Sequence, residues 1–321
     1  MNLANYVNTF GQAMLTRYGE RVHKISIDAG FTCPNRDGSI GRGGCTFCNN
    51  VSFSPHGRRP NLIAEQIESG RQVITKRTGA KKYIAYFQAY TNTYADVREL
   101  TRLYDEALKE PDVIGLDVGT RPDCVPDKVL DLLANYQQSG YEVWLELGLQ
   151  SAFDATLAHV NRGHGFDEYR QAVLKARSRG IKVCTHLILG LPGESTEHHI
   201  TSLERVLELG VDGLKFHPLH VVKGTQLANE WRRGEYQPLS MDQYVSDVVE
   251  LINRTPDEVI FHRLTGTAST DVLLAPQWCS KKWQVLNAIT SALAKQVKQI
   301  DMKQDEISTF LPPSPLVLSP V

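Results

Sequence analysis

Three observations predict an α/β protein built as a partial (β/α)6 barrel of TIM type with a small C-terminal α/β extension. Six β-rich runs alternate with amphipathic stretches, the later strands start about 29 to 40 residues apart, and glycines stand at the helix-to-strand junctions. That spacing is the size of one βα unit. Strands alternating with helices give a parallel sheet with right-handed crossovers. Six units are too few to close the usual eight-stranded barrel, so the sheet is expected to stay open. A doubly wound open sheet is the other fold that the same alternation allows.

In chain order, strands are expected to begin near His23 (HKISIDA), Lys82 (KYIAYFQA), Val113 (VIGLDVGT), Glu142 (EVWLELGLQ), Lys182 (KVCTHLILG) and Gly213 (GLKFHPLH). Helices are expected over Leu62–Lys76, Asp96–Lys109, Asp127–Gln138, Glu168–Arg179 and Glu197–Leu209. Gly140, Gly180 and Gly210 follow three of these helices, where a left-handed residue closes the last turn. One unit is abnormal: about 60 residues separate the first two strand starts, and the extra length includes a loop with three cysteines. After Pro238 the rhythm stops, and a helix near Met241–Asn253, a strand at Val259–Arg263 and a helix near Lys281–Lys298 are expected. The chain thus divides into a core over 1–238 with the cysteine loop at 31–49, a cap over 239–300, and a tail over 301–321. The tail ends in LPPSPLVLSPV and is expected to be loose.

The chain has 321 residues, 35 Lys and Arg against 36 Asp and Glu, and a net charge of −1, which excludes a polybasic protein. No apolar run approaches the length of a membrane-spanning helix. The first residues, MNLANYVNTFGQAMLTRYGE, lack the basic start and apolar stretch of a secretory signal, so a cytoplasmic protein with reduced thiols is expected.

The strongest chemical signal is CPNRDGSIGRGGCTFC, which carries Cys33, Cys45 and Cys48 directly after the first strand. Cys45 and Cys48 form a C-x-x-C that can reach one metal centre from a single turn, and Cys33 closes it from the other side. Gly38, Gly41, Gly43 and Gly44 allow the backbone to fold tightly around something small. Three thiolates suit a 4Fe–4S cluster that leaves one iron open for a ligand. A structural zinc site needs a fourth ligand, for which His56 is the nearby candidate. Reduced, inert thiols are the third reading. Cys124, Cys184 and Cys279 are scattered and read as buried free thiols.

The cysteine loop and the six units together resemble the radical S-adenosylmethionine (SAM) superfamily. The spacing is C-x11-C-x2-C, where most of that superfamily has C-x3-C-x2-C; the long first gap is typical of the branch with the elongator catalytic subunit and the bacterial YhcC family. GTRPDC (Gly119–Cys124), ELGLQSAFDATLAHVNRGH (Glu146–His164) and HLILGLPGE (His186–Glu194) fit the branch in order, and the N-terminal RYGERVHKISIDAGFTCPNRDGSIGRGGCTFCN is similar to the YhcC family in particular. The resemblance implies that Cys33, Cys45 and Cys48 bind a 4Fe–4S cluster. Its open iron would take the amino and carboxylate groups of SAM, and an electron would cleave SAM to a 5′-deoxyadenosyl radical. It also implies that Phe47 lies near the adenine, that Glu146 holds SAM, and that Gln150 and Arg162 assist. Gln88 stands where relatives carry a glycine-rich motif for the SAM amino group; here the sequence is FQAYTNT.

Each of these residues also has a plainer role. A carboxylate in WLELGLQ needs a partner when buried, whether a ligand or an ion pair. Arg162 could fix a loop, LPGE (Leu191–Glu194) could be a turn before a helix, and Arg121 could pair with Asp123. His217 and His220 alternate at a strand end and could face the cavity or be structural.

For substrate, the elongator branch implies tRNA, with wobble uridine as its target in that branch. Ser54–Lys82 carries seven Lys and Arg against two Asp and Glu, a phosphate-binding pattern. Tyr83, Tyr86, Phe87, Tyr90 and Tyr94 follow it and could stack bases, or could be barrel core. The alternatives are a radical SAM enzyme acting on a small molecule or protein, and a zinc- or cluster-binding protein without turnover. An electron donor such as a flavodoxin or ferredoxin is the expected partner of the enzyme readings.

Overall fold

The computed structural model describes residues 2–49 and 62–309, with side chains as far as residue 297. His56, Arg58, Arg59 and the last twelve residues lie outside that description. The chain opens with α1 (Phe10–Tyr18), β1 (Val22–Ile27), the short α2 (Pro34–Asp37), α3 (Ile63–Thr78) and β2 (Lys82–Phe87). The repeating units continue as α4 (Val97–Leu108), β3 (Val113–Thr120), α5 (Asp127–Gln138), β4 (Glu142–Gln150), α6 (Asp154–His159), α7 (Phe166–Arg177), β5 (Lys182–Leu189), α8 (Thr196–Leu207) and β6 (Gly213–Pro218). The C-terminal part adds β7 (Val221–Val222), α9 (Gln226–Arg232), α10 (Met241–Asn253), β8 (Ile260–Arg263), β9 (Leu273–Ala275) and α11 (Lys282–Thr309).

The main sheet runs β1-β2-β3-β4-β5-β6-β8, and every pairing in it is parallel. It is the curled, open half-barrel expected from the sequence, with one strand more than the six units supply. That strand, β8, comes from the region read as a cap and pairs with β6. The doubly wound alternative does not apply, because the strands follow chain order from edge to edge without a reversal. Gly140, Gly180 and Gly210 have φ of 93°, 75° and 69°, the left-handed turn expected after α5, α7 and α8. The helix expected to end near Lys298 runs on to Thr309, so residues 301–309 of the expected tail are helical backbone.

β2 and β4 are buried almost throughout, as parallel strands covered on both faces must be. The outer face packs on the helices through a continuous core that includes Ile67, Leu100, Leu130, Val173, Leu203 and Val248. Inside the curl, Phe10, Met14, Val22, Ile84, Trp144 and Cys184 form a separate apolar floor. The N-terminal segment holds the two sheet edges together: the Phe261 amide donates to the Asn8 carbonyl at 2.8 Å, and the Asn8 side chain donates to the Asp257 carbonyl at 3.2 Å. No helix among the described residues is long and apolar enough to cross a membrane.

Candidate active site

Parallel half-barrels put their loops at the C-terminal ends of the strands, and the cysteine loop leaves β1 at that end. Cys33, Cys45 and Cys48 line one cavity of about 220 Å³, together with Gln88, Glu146, Gln150 and Arg162. The loop is clamped from β4's far side by NRGH. Asn35 Nδ2 donates to the Asn161 carbonyl at 2.6 Å, Asn161 Nδ2 donates to the Gly44 carbonyl at 2.8 Å, and the Thr46 amide donates to the Val160 carbonyl at 3.0 Å. Gly44 has φ of 82°, a left-handed backbone that glycine takes without strain.

The thiols face guanidinium groups. Arg162 lies 3.6 Å from Cys45 Sγ through one nitrogen and donates to the Gly148 carbonyl at 2.6 Å through the other. Arg36 donates to the Cys48 carbonyl at 2.5 Å. Burial and the neighbouring Cys45 push the Cys48 thiol up, while Arg36 and Arg162 pull it back down. All six cysteines are free thiols. Three thiols that line one cavity, with Arg162 against Cys45 and Arg36 beside Cys48, are a donor set that suits a three-ligand cluster. The residues present therefore fit the 4Fe–4S group; the zinc reading has its fourth ligand, His56, outside the described residues.

The other expected residues divide. Gln88 donates to Ser26 Oγ at 2.8 Å, and it faces the thiols. The two residues after it, Ala89 and Tyr90, have φ of 70° and 62°, and Gln150 has φ of 84°. Each left-handed non-glycine residue costs about 1–2 kcal/mol, and strain of this kind gathers at functional sites. FQAYTNT thus takes a glycine-like backbone without glycine. Phe47 is not among the lining residues: it is half-buried against a separate apolar cluster that includes Val160, Leu191 and Leu219.

Glu146 reaches the cavity, but its carboxylate is engaged. Lys24 Nζ lies at 2.8 Å and His262 Nδ1 at 3.2 Å from Oε1, and His186 Nε2 lies at 3.0 Å from Oε2, which Lys215 Nζ also contacts. Lys24 also pairs with the buried Asp117. This network of two carboxylates, two lysines and two histidines was not foreseen. Its core members Lys24, Asp117, Glu146, His186 and Lys215 come one each from β1, β3, β4, β5 and β6, four of which carry other ionisable residues as well. Despite burial, the two lysines hold Glu146 well below the usual carboxylate range. Burial and the Glu146 charge push Asp117 up. Two groupings, Glu146–Cys184–His186 and Asp117–Glu146–His262, have metal-like spacing, but the lysine ammonium groups already neutralise them.

Arg121 is buried and makes a two-pronged pair with Asp123 at 2.9 and 2.7 Å, while a third donor bonds the Arg162 carbonyl at 2.9 Å, so TRPD is a structural brace. LPGE is the turn before α8, with Glu194 accepting from Ser151 Oγ. His217 lines the cavity and stacks on His186 at 5.9 Å; His220 is buried outside it. Tyr83 and Phe87 are barrel core and are not free to stack bases, because β2 is buried on both faces, while Tyr86, also buried, lines the cavity. Tyr90 is exposed at the mouth, and Tyr94 donates to Ser39 Oγ at 2.7 Å. Of the basic segment, Arg71 pairs with Glu68 and bonds the Pro111 carbonyl, and Lys82 pairs with Glu20, which leaves Lys76, Arg77 and Lys81 exposed. Cys124, Cys184 and Cys279 are buried free thiols, as expected.

The family model described as Radical SAM superfamily matches residues 35–206, and the Radical SAM C-terminal domain matches residues 211–295. The chain is 51% identical over 283 residues to Protein YhcC of Escherichia coli, a match that covers 88% of this chain and 91% of that protein. It is 38% identical over 293 residues to YtqA of Bacillus subtilis, covering 91% of each. Among solved structures, the archaeal Methanocaldococcus infernus Elp3 with an N-terminal deletion superposes with a TM-score of 0.56 at 18% identity, over 75% of this chain and 55% of that one.

Proposed function

The chain belongs to the radical SAM superfamily, and from that premise we propose that it is an RNA-modifying enzyme whose cluster sits on Cys33, Cys45 and Cys48. Members of the superfamily bind a 4Fe–4S cluster and SAM, and this chain is a radical SAM enzyme. When bound, that pair supplies one-electron reductive cleavage of SAM to the 5′-deoxyadenosyl radical. The observation that carries the site assignment is the convergence of all three loop cysteines with Gln88, Gln150 and Arg162 on one cavity at the strand ends.

In this reading Arg162 steadies the Cys45 thiolate and offers positive charge to an anionic ligand group. Gln88 and Gln150 supply uncharged hydrogen-bonding groups to SAM from opposite walls. Glu146 and His186 form part of the wall of the same cavity, and Lys24 and Lys215 hold the Glu146 carboxylate from the side away from it. An electron donor of the flavodoxin or ferredoxin type reduces the centre.

The RNA substrate, tRNA in particular, is supported by the likeness to the elongator branch and by the exposed cations Lys76, Arg77 and Lys81 beside the sheet. The family likeness alone is a weak warrant for substrate. The test is anaerobic reconstitution followed by SAM cleavage with and without bulk tRNA. Stimulation by tRNA, lost on reversing charge at Lys76 and Lys81, is expected. Cleavage indifferent to tRNA, with an intact rate in the charge-reversed variant, would favour the small-molecule or protein substrate.

A further inference from the structure

The curled sheet leaves a seam between its edge strands β1 and β8, and a second cavity of about 420 Å³ opens there. That volume is in the range of small-molecule sites. Its polar lining includes His23, Lys24, Lys215, His262, Arg263 and Lys282, and no Asp or Glu lines it. Lys24 and Lys215 are spent on Asp117 and Glu146. His262 is engaged with Glu146 as well, which leaves Arg263, Lys282 and the imidazole of His23 to meet a ligand. Among the described residues, Arg263 has a hydrogen bond to His217 Nε2 at 3.4 Å, and none of Arg263, Lys282 and His23 has an acidic partner there. Desolvation, with Arg263 and Arg77 nearby, pushes the Lys282 ammonium down; desolvation, with Arg21, Arg77 and Lys282 nearby, does the same to His23. These groups crowd one another, and an anion would relieve all three.

The first turn of α11, through Lys282 and Leu286, also lines the cavity, which adds the positive end of a 28-residue helix. Tyr86 and Arg263 line both this cavity and the one that holds the cysteines, and Lys215 Nζ donates to the Tyr86 hydroxyl at 3.0 Å. One layer of side chains separates the two spaces.

We propose that the seam cavity anchors a phosphate group of the substrate through Arg263, Lys282 and His23, leaving the rest of the substrate to reach the cluster cavity past Tyr86. Donors arriving from β1, β8 and α11 suit the three free oxygens of a phosphate ester. A carboxylate would need only a two-pronged arginine. The phosphate can be that of a free phosphorylated metabolite or the terminal phosphate of an RNA strand, each of which keeps three free oxygens. The proposal depends on the radical SAM reading only for the chemistry that follows, since anion binding at the seam needs neither cluster nor SAM.

Titration calorimetry of the reconstituted full chain with inorganic phosphate at low salt tests it. One site per chain is expected, weakened at least tenfold by Lys282→Glu, weakened likewise by Arg263→Gln, and unchanged by Lys281→Glu as the surface control. Competition by glycerol 1-phosphate would identify the metabolite source, and competition by a short oligoribonucleotide with a terminal phosphate would identify RNA. No phosphate binding, equal binding by Lys282→Glu, or acetate binding as tight as phosphate would each overturn the proposal. SAM cleavage measured on the same samples keeps the two readings apart: cleavage without phosphate binding sinks only the seam site, and phosphate binding without cleavage sinks only the radical reading.

Discussion

Glu146 shows how much a single buried carboxylate can organise. Its four partners come from β1, β5, β6 and β8, so one side chain ties together strands at both edges and in the middle of the sheet. Removing its charge leaves Lys24 and Lys215 under-compensated in a dry interior, a change that costs about 3–5 kcal/mol in comparable buried pairs. Glu146→Gln should therefore lower the denaturant midpoint sharply, and adding Lys215→Met should recover part of the loss. Equal stability of wild type and Glu146→Gln would show the network to be inessential. The histidines make a second prediction. Burial is the main cause that holds His164 down to about 3 and His186 and His220 to about 4, with His217 and His262 well below the usual imidazole value. A histidine depressed on folding contributes stability that is whole above pH ~6.5 and is lost as pH falls from there, at about 1.4 kcal/mol per unit of depression. Asp117, raised on folding, works the other way, losing its contribution as pH climbs above its unfolded value. Six lowered histidines, His23 included, outweigh the raised Asp117 and Glu194, so the urea midpoint should fall between pH 7.5 and pH 5.5. A flat profile would contradict the buried, neutral assignment. Of the residues at this scale, the three cysteines were legible because their spacing is itself the chemistry. Lys24, Asp117 and Lys215 were not, because a lone charged residue in a strand gives no sign of which face it takes until the sheet curls.

Among the elements, the strands were the easiest to read. β2 through β6 all begin where their apolar runs begin, and the helices between them differ by two residues or fewer at most ends. Left-handed glycines marked those junctions because no other residue takes that turn cheaply. The missed elements are short: α1, α6 and α9 are each nine residues or fewer. β8 was legible as a strand over Val259–Arg263, but its place in the main sheet was not. β8 joins the main sheet by pairing with β6, and residues 8–10 run beside it from the far end of the chain, long-range contacts invisible to periodicity. Within the sheet, Gly115 sits opposite Glu142, and a Cβ there would meet the Glu142 carbonyl oxygen at 1.9 Å. Backbone cannot swing aside as a side chain can. Gly115→Ala should cost at least the 1–3 kcal/mol or so of ordinary overpacking, seen as a lower melting temperature. An unchanged melting temperature would show that β3 and β4 can separate freely at this point.

The whole molecule is a curled sheet with chemistry at two openings. The strand-end mouth carries the cysteine loop, and the seam between the edges carries unspent positive charge, with Tyr86 and Arg263 shared between them. The half-barrel and its cysteine loop could be read from sequence because βα spacing and C-x11-C-x2-C are local patterns. The seam could not, since His23, Arg263 and Lys282 are spread along almost the whole chain and meet only when the sheet curls. The substrate follows from neither pattern, and the basic segment that pointed to RNA proved to be partly ion-paired. The central claim remains the radical chemistry of the mouth. Its most direct measurement is 5′-deoxyadenosine released after anaerobic reconstitution with iron and sulfide, dithionite reduction and addition of SAM. The account predicts release from the wild-type chain, and none from Cys33→Ala, Cys45→Ala or Cys48→Ala, each of which also loses its bound iron. Undiminished release from those variants, or a wild-type chain that holds zinc and cleaves no SAM, would contradict it.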